Sequence, residues 1–330
     1  MAEEDVSIEE SQRDAERRRA SGEFVRGRSG FRGVLGEDTP PEPGRYHLYV
    51  ALNCPWCHRV MLARNVLGLA RSVSVDVAFP NRTEEGLWEF NPDRIATLTG
   101  ATLPECTLET ASGHGFRMAK QLYEAEGSEE KSLPILFDKQ RQRIVSNESA
   151  EIVRMLNATA AALGADNPPD LYPAELRSEI DTLNESIYVR INNGAYKAGF
   201  SSDQGVYAAA FDAYFSELEA LEARLGTGPR PYLTGDTFTE ADLRLFPTLY
   251  RHDPVYMIRM KLNGARILDY PNLWRWLCRV HALPGIAESG SLVHCRQGYF
   301  GRSGNNVVPR GPIKPMPYPE AYHHPELAGV

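Results

Sequence analysis

Cys54 and Cys57, in the stretch Asn53-Cys54-Pro55-Trp56-Cys57-His58-Arg59, are the residues of this chain best suited to chemistry. A C-x-x-C pair can serve as a redox-active dithiol, as two metal ligands, or as one working thiol beside a bystander. Its surroundings bear on the choice. The run Tyr46-His47-Leu48-Tyr49-Val50-Ala51 reads as a buried strand, and Trp56, Val60, Ala63 and Leu67 share one face of a following helix. Pro55 suits the first helical position, where no backbone N–H is required. Cys54 therefore falls where unpaired N–H groups and the positive end of the helix dipole favour a thiolate.

Several elements must hold this junction in place. Val73, Val75, Val77 and Phe79 alternate with polar residues as in a half-buried strand, so strand, helix and strand form a βαβ unit. Such a unit places a ligand site at the carboxyl ends of its strands, where Cys54 lies. A long irregular stretch follows, and then a short helix over Phe116–Tyr123, a strand over Leu133–Phe137 that begins at a proline, and an antiparallel strand at Arg143–Val145. Asn147 is placed to cap the next helix, which buries Ile152, Val153 and Leu156. From about Tyr172 the periodicity is helical: Tyr207, Phe211, Tyr214, Leu218, Leu221 and Leu225 form one core-facing stripe. Thr239 and Asp242 stand at N-cap and N3, as in a capping box. Residues 1–44 form a charged arm that Phe24 and Phe31 pin to the body, with Arg17, Arg18 and Arg19 on a solvated face; residues 309–330 form an extended, proline-rich tail.

The 330-residue chain carries 36 Lys plus Arg against 44 Asp plus Glu, a net charge of -8, so it has no global electrostatic footprint for nucleic acid. No apolar stretch approaches the roughly 18 residues that span a bilayer. Five cysteines, an odd number, argue for free thiols in a reducing compartment, and the acidic start argues against a transit peptide. The expectation is a cytoplasmic protein that uses no membrane and no nucleic acid.

A thioredoxin-like N-terminal domain over residues 45–160, followed by an all-helical domain over 170–308, resembles the glutathione transferases. More narrowly, the sequence is similar to the Xi class, the S-glutathionyl-(hydro)quinone reductases. The resemblance is carried by Tyr46–Val50 running into Cys54-Pro55-Trp56, by Asn147–Ile152, by Asn192-Asn193-Gly194-Ala195-Tyr196-Lys197-Ala198-Gly199-Phe200, by Leu243–Phe246 through Asp253–Tyr256, and by Asp269–Leu273. The chain departs from that family at Cys57, where Ala is usual, at Leu133, where Val is usual, and at Phe137, where Trp is usual.

The resemblance implies that Cys54 attacks a glutathionylated hydroquinone, takes the glutathionyl group as a mixed disulfide, and is freed by a second glutathione. Glutathione is then a co-substrate, and no metal is implied. A cis Pro134 would turn Leu133 toward the glutathione backbone, Glu148 and Ser149 would hold its γ-glutamyl end, and Trp88 would contact it. Tyr196, Tyr256 and Tyr299 match the tyrosines that receive the phenolic ring. Cys57 either resolves the mixed disulfide or packs inside the helix, and packing is favoured. His58 and Arg59 are read as polar-face residues or contacts of an expected homodimer, and Cys106, Cys278 and Cys295 as inert. Two other readings compete. An Omega-like thioltransferase or dehydroascorbate reductase would share the cysteine but not the Asn192–Phe200 stretch, and a non-catalytic ligand-binding protein would have no need of Cys54, Pro134 and the Glu148-Ser149 pair.

Overall fold

β1 (Tyr46–Val50) has every residue buried, as its unbroken apolar and aromatic run requires of a central strand. A computed structural model describes residues 21–25, 27, 29–36, 39–97, 105–301 and 308–309; the Arg17–Arg19 cluster and nearly all of the proline-rich tail lie outside them. The chain turns from β1 into α1 (Pro55–Val66) and returns along β2 (Ser74–Val77), which pairs parallel to β1 with Leu48 opposite Val75. The strand ends before Phe79, whose N–H donates instead to the Glu89 carbonyl.

α2 (Ala119–Glu124) precedes β3 (Ile135–Asp138), which lies antiparallel on the other side of β1, and β4 (Arg143–Ser146) pairs antiparallel with β3. The sheet order is β2-β1-β3-β4, the mixed sheet of a thioredoxin-like fold. Arg45 and Asp138 fasten one end of the central strands through a buried two-point ion pair, with Nε to Oδ1 at 3.0 Å and Nη2 to Oδ2 at 2.6 Å.

The outer edge of β4 is covered by the N-terminal arm. The Gly33 N–H donates to the Val145 carbonyl (2.8 Å), and the Asn147 N–H donates to the Phe31 carbonyl (3.0 Å). An open strand edge invites pairing with other chains, and the arm closes it. Asn147 is drawn into this contact, since its Oδ1 accepts the Phe31 N–H. It therefore does not cap α3 (Ser149–Thr159) as the sequence led us to expect; Glu148 caps it, accepting the Ala150 N–H at 3.1 Å. Both phenylalanines of the arm are anchored: Phe31 packs edge-on to Tyr123 with ring centroids 5.5 Å apart, and Phe24 lies 5.9 Å from Tyr196.

The helical half runs through α4 (Arg177–Ser186), α5 (Asn193–Phe200), α6 (Gln204–Gly226), α7 (Glu240–Arg251), α8 (Pro271–His281) and α9 (Leu292–Phe300). α7 starts at the expected box. The buried Asp242 carboxylate accepts N–H groups from Thr239 (3.0 Å) and Leu233 (2.9 Å) and the Trp276 indole N–H (2.8 Å). Burial pushes its pKa up to about 6 in spite of these donors.

Wider π-helical turns occur at Ile187–Asn192, just before α5, and at His252–Tyr256, just after α7. Turns of this kind gather at functional sites because they rotate the following side chains out of helical phase. Among the described residues no helix is long and apolar enough to cross a membrane.

Candidate active site

Cys54 is the N-cap of α1, with extended dihedrals (φ -82°, ψ 123°) and Pro55 at the first helical position. Its N–H donates to the Ala51 carbonyl (2.9 Å), and its carbonyl accepts the His58 N–H (3.0 Å). The Leu133–Pro134 peptide bond is cis, and the Leu133 carbonyl lies 3.9 Å from the Cys54 Sγ. The structure thus brings Cys54, Leu133 and Pro134 together. Cys54 is partly exposed, whereas Cys57, one turn on, is fully buried. Burial pushes the Cys57 thiol well up, and its hydrogen bond to Cys54 and the charge there push it further. Burial likewise raises Cys106, Cys278 and Cys295.

His58 and Arg59 overturn the expectation of a polar outer face. Both are buried, because α1 packs on one side against α3 and on the other against α7, leaving its first nine residues no solvent face. Arg59 hydrogen-bonds the Asn192 Oδ1 (3.0 Å), and its guanidinium lies 4.5 Å from the centre of the Trp56 ring. Burial, with the charges of Arg251 and His281, holds His58 well below the usual imidazole range, so the ring is neutral. Its Nδ1 lies 2.8 Å from Arg251 Nη1, and a guanidinium only donates, so the His58 proton is on Nε2, which donates to the Ser289 Oγ (3.0 Å).

Arg251 is a site residue that no local pattern marks. It is fully buried at the end of α7 and makes no ion pair among the described residues. Its Nη2 donates to the Leu52 carbonyl (2.9 Å), its Nε to the Asn53 carbonyl (3.3 Å) and its Nη1 to the Pro247 carbonyl (2.8 Å). A guanidinium of the helical half thereby clamps the two peptide units that lead into Cys54. Gly298 of α9 closes on the same loop, since a Cβ there would stand 2.3 Å from the Asn53 side chain. Arg251 lies in the Leu243–Tyr256 stretch together with Arg244, His252 and Asp253, and no sequence signal sets it apart from them.

On the sheet side, Glu148 and Ser149 head α3, and Glu148 also accepts the Ser29 hydroxyl of the arm (3.1 Å). The Ser149 hydroxyl and the Trp88 indole N–H are buried without a partner among the described residues. An unpaired buried polar group costs about 1–3 kcal/mol, which a ligand carboxylate or carbonyl would cancel, so the donors present fit an anionic peptide. Trp88 is otherwise a core residue: its carbonyl accepts the Ala119 N–H (2.9 Å), and Arg82 lies 4.4 Å above its ring. Among the described residues, no three His, Cys, Asp or Glu side chains gather to hold a metal ion.

In the helical half, the hydroxyls of three tyrosines meet. Tyr196 of α5 and Tyr299 of α9 are 2.6 Å apart at oxygen, and Tyr256, at the end of the second π-helical turn, is 3.2 Å from Tyr299. Tyr196 lies 6.3 Å ring to ring from Trp56, and Tyr299 follows the Gly298 that abuts Asn53, so the cluster adjoins the start of α1. Burial raises Tyr256 and Tyr299 well above the usual phenol range, which keeps them protonated as donors. Gly199 of the Asn192–Phe200 stretch is required by packing, since a Cβ there would meet the Met260 sulfur at 2.1 Å.

A thiol at the head of a thioredoxin-fold helix, opposite a cis-proline strand and roofed by helices, defines the class of thiol transferases built on glutathione. The family model "Glutathione S-transferase, N-terminal domain" matches residues 53–159, and "Glutathione S-transferase, C-terminal domain" matches residues 204–279. The chain is 42% identical over 310 residues to glutathionyl-hydroquinone reductase YqjG of Escherichia coli, with 90% of each chain covered. It is 40% identical over 305 residues to glutathionyl-hydroquinone reductase PcpF of Sphingobium chlorophenolicum, covering 90% of this chain and 92% of that one. The glutathione-bound structure of YqjG superposes with a TM-score of 0.79 at 39% identity, over 88% of this chain and 95% of that one. Glutathione S-transferase Xi of Phanerochaete chrysosporium gives 0.80 at 37% identity, over 88% and 98%. The chain belongs to the Xi-class glutathione transferases, the S-glutathionyl-(hydro)quinone reductase family.

Proposed function

We propose that this protein reduces S-glutathionyl-hydroquinones to hydroquinones with glutathione as co-substrate, through a Cys54–glutathione mixed disulfide. The Cys54 sulfur bonds to the glutathionyl sulfur as the bond from that sulfur to the ring breaks. The electron pair passes to the ring, the ring carbon gains a proton in place of sulfur, and negative charge develops on a phenolic oxygen. Tyr196, Tyr256 and Tyr299 donate to the phenolic oxygens, and burial keeps Tyr256 and Tyr299 protonated for that purpose. A second glutathione then attacks the mixed disulfide and leaves as oxidised glutathione, restoring Cys54. Leu133 pairs with the glutathione backbone beside Pro134, Ser149 and Glu148 take its γ-glutamyl end, and Trp88 supplies its free indole N–H.

The observation that carries this reading is the chain of three phenol hydroxyls adjoining the start of α1, the helix end that the partly exposed Cys54 caps. We also propose that the protein acts as a homodimer in the cytoplasm. The test is turnover of glutathionyl-menadiol with glutathione. Wild type turns over, and Cys54→Ser loses activity by about a thousandfold or more. Full activity in Cys54→Ser contradicts the mechanism, and activity on dehydroascorbate without activity on glutathionyl-menadiol favours the Omega-like reading.

A further inference from the structure

The monothiol reaction makes no use of Cys57. It is the third residue of α1, its side chain is fully buried, and its thiol is hydrogen-bonded to Cys54. Cys54 lies outside the helical dihedrals and is partly exposed. The pair therefore presents one sulfur to a substrate and a second directly behind the first. That is the arrangement in which an inner thiol attacks a disulfide formed on the outer one.

We propose that Cys57 is a resolving thiol, so that this chain carries a dithiol–disulfide activity beside its hydroquinone reduction. The Cys57 sulfur bonds to the Cys54 Sγ as the bond between Cys54 and the glutathionyl sulfur breaks. The electron pair leaves on the glutathione sulfur, which takes the proton from Cys57. One disulfide is exchanged for another, giving an internal Cys54–Cys57 disulfide and one free glutathione. Two further glutathione molecules reopen the pair, the first restoring the mixed disulfide on Cys54 and the second leaving as oxidised glutathione. Where glutathione is scarce the chain then rests as a closed disulfide, with Cys54 shielded from further oxidation.

The electrostatics favour this order of events. Burial, the hydrogen bond to Cys54 and the charge of Cys54 all keep the proton on Cys57, while the Ala51 backbone and the Arg251 charge work the other way. Both contributions from Cys54 end when that sulfur is capped and neutral. Cys57 then faces the buried Arg251 cation and the head of the helix, which favour its thiolate. The proton thus stays on Cys57 while Cys54 is the nucleophile, and becomes easier to release once Cys54 has reacted.

This inference rests on Cys54 being the attacking thiol, and the experiment separates the two. Reduced wild type, Cys57→Ala, Cys57→Ser and Cys54→Ser are each mixed with one equivalent of oxidised glutathione, quenched in acid at intervals, and weighed by intact-mass spectrometry. Wild type is expected to end two hydrogens lighter with no adduct. Both Cys57 variants are expected to hold one glutathionyl group about tenfold longer or more, and Cys54→Ser is expected to stay unmodified. A wild type that keeps its glutathionyl group as long as the Cys57 variants overturns the resolving role and leaves the monothiol mechanism standing. Failure of the Cys57 variants to take up glutathione at Cys54 overturns both.

Discussion

The thiol side of the site is assembled mostly from neighbours in sequence. Ala51, Cys54, Pro55 and Cys57 belong to one strand-to-helix junction, and the cis Leu133–Pro134 bond reaches them from the adjacent strand of the same sheet. The phenol side is gathered from Tyr196, Tyr256 and Tyr299, on helical segments that meet only when the second half of the chain is folded. The first side rests on local rules such as a helix start, a first-position proline and strand alternation. The second depends on two π-helical turns and on Arg251 reaching back to Leu52 and Asn53. A site built in this way has a thiol whose placement is local and a setting that is not.

Breaking the clamp gives the largest effect expected between the two halves. Arg251→Met leaves the Leu52, Asn53 and Pro247 carbonyls without this donor and should cost roughly 3 kcal/mol or more in urea denaturation. It should also slow alkylation of Cys54 by iodoacetamide at neutral pH, because a buried cation behind the loop is gone. Arg251→Lys should recover only part of the loss, since one ammonium cannot span the same carbonyls. Unchanged stability and alkylation in Arg251→Met would show that the halves are not coupled through this residue.

The halves should also respond to pH in opposite directions. Asp242, in the helical half, is held up to about 6 by burial, above its unfolded value of about 3.9. The native state keeps that proton more tightly, so this contribution is fully present below about pH 4 and is lost as pH rises through about 6, amounting to at most about 3 kcal/mol. Asp138, in the sheet, is held below its usual range: burial opposes its charge, but Arg45 and the Gln140 and Arg141 N–H groups outweigh burial. Its contribution is present above about pH 4 and is lost as pH falls. Urea midpoints across this range for Asp242→Asn and Asp138→Asn should therefore approach or leave the wild-type curve at opposite ends. Parallel curves for both variants would contradict the assignment.

A smaller effect separates the three tyrosines. Tyr299 shares its hydroxyl with both others, so Tyr299→Phe should lower kcat for glutathionyl-menadiol by about tenfold, and Tyr196→Phe or Tyr256→Phe by less. Equal losses at all three would mean that the ring is held symmetrically rather than through Tyr299.

The same contrast explains what the sequence could reveal. The βαβ unit, the Thr239–Asp242 box and the helix stripes are local periodicities and caps, and the structure contains them. The exposed face assumed for His58 and Arg59 was wrong because the amphipathicity of a helix says nothing about a second layer laid across its polar side. Asn147 lost its capping role because an arm more than a hundred residues earlier takes its side chain. Arg251 is not legible in the sequence because it stands beside His252 and Asp253 and its role comes from the Leu52 and Asn53 carbonyls, about two hundred residues earlier in the chain.

The central claim is that Cys54 is the sulfur that receives glutathione while the ring leaves as hydroquinone. It is tested most directly by a single turnover of the Cys57→Ala variant with glutathionyl-menadiol and no free glutathione. The prediction is one menadiol released per chain, with one glutathionyl group on the peptide containing Cys54. Menadiol released with that peptide unmodified, or with the group on Cys278 or Cys295, would contradict it.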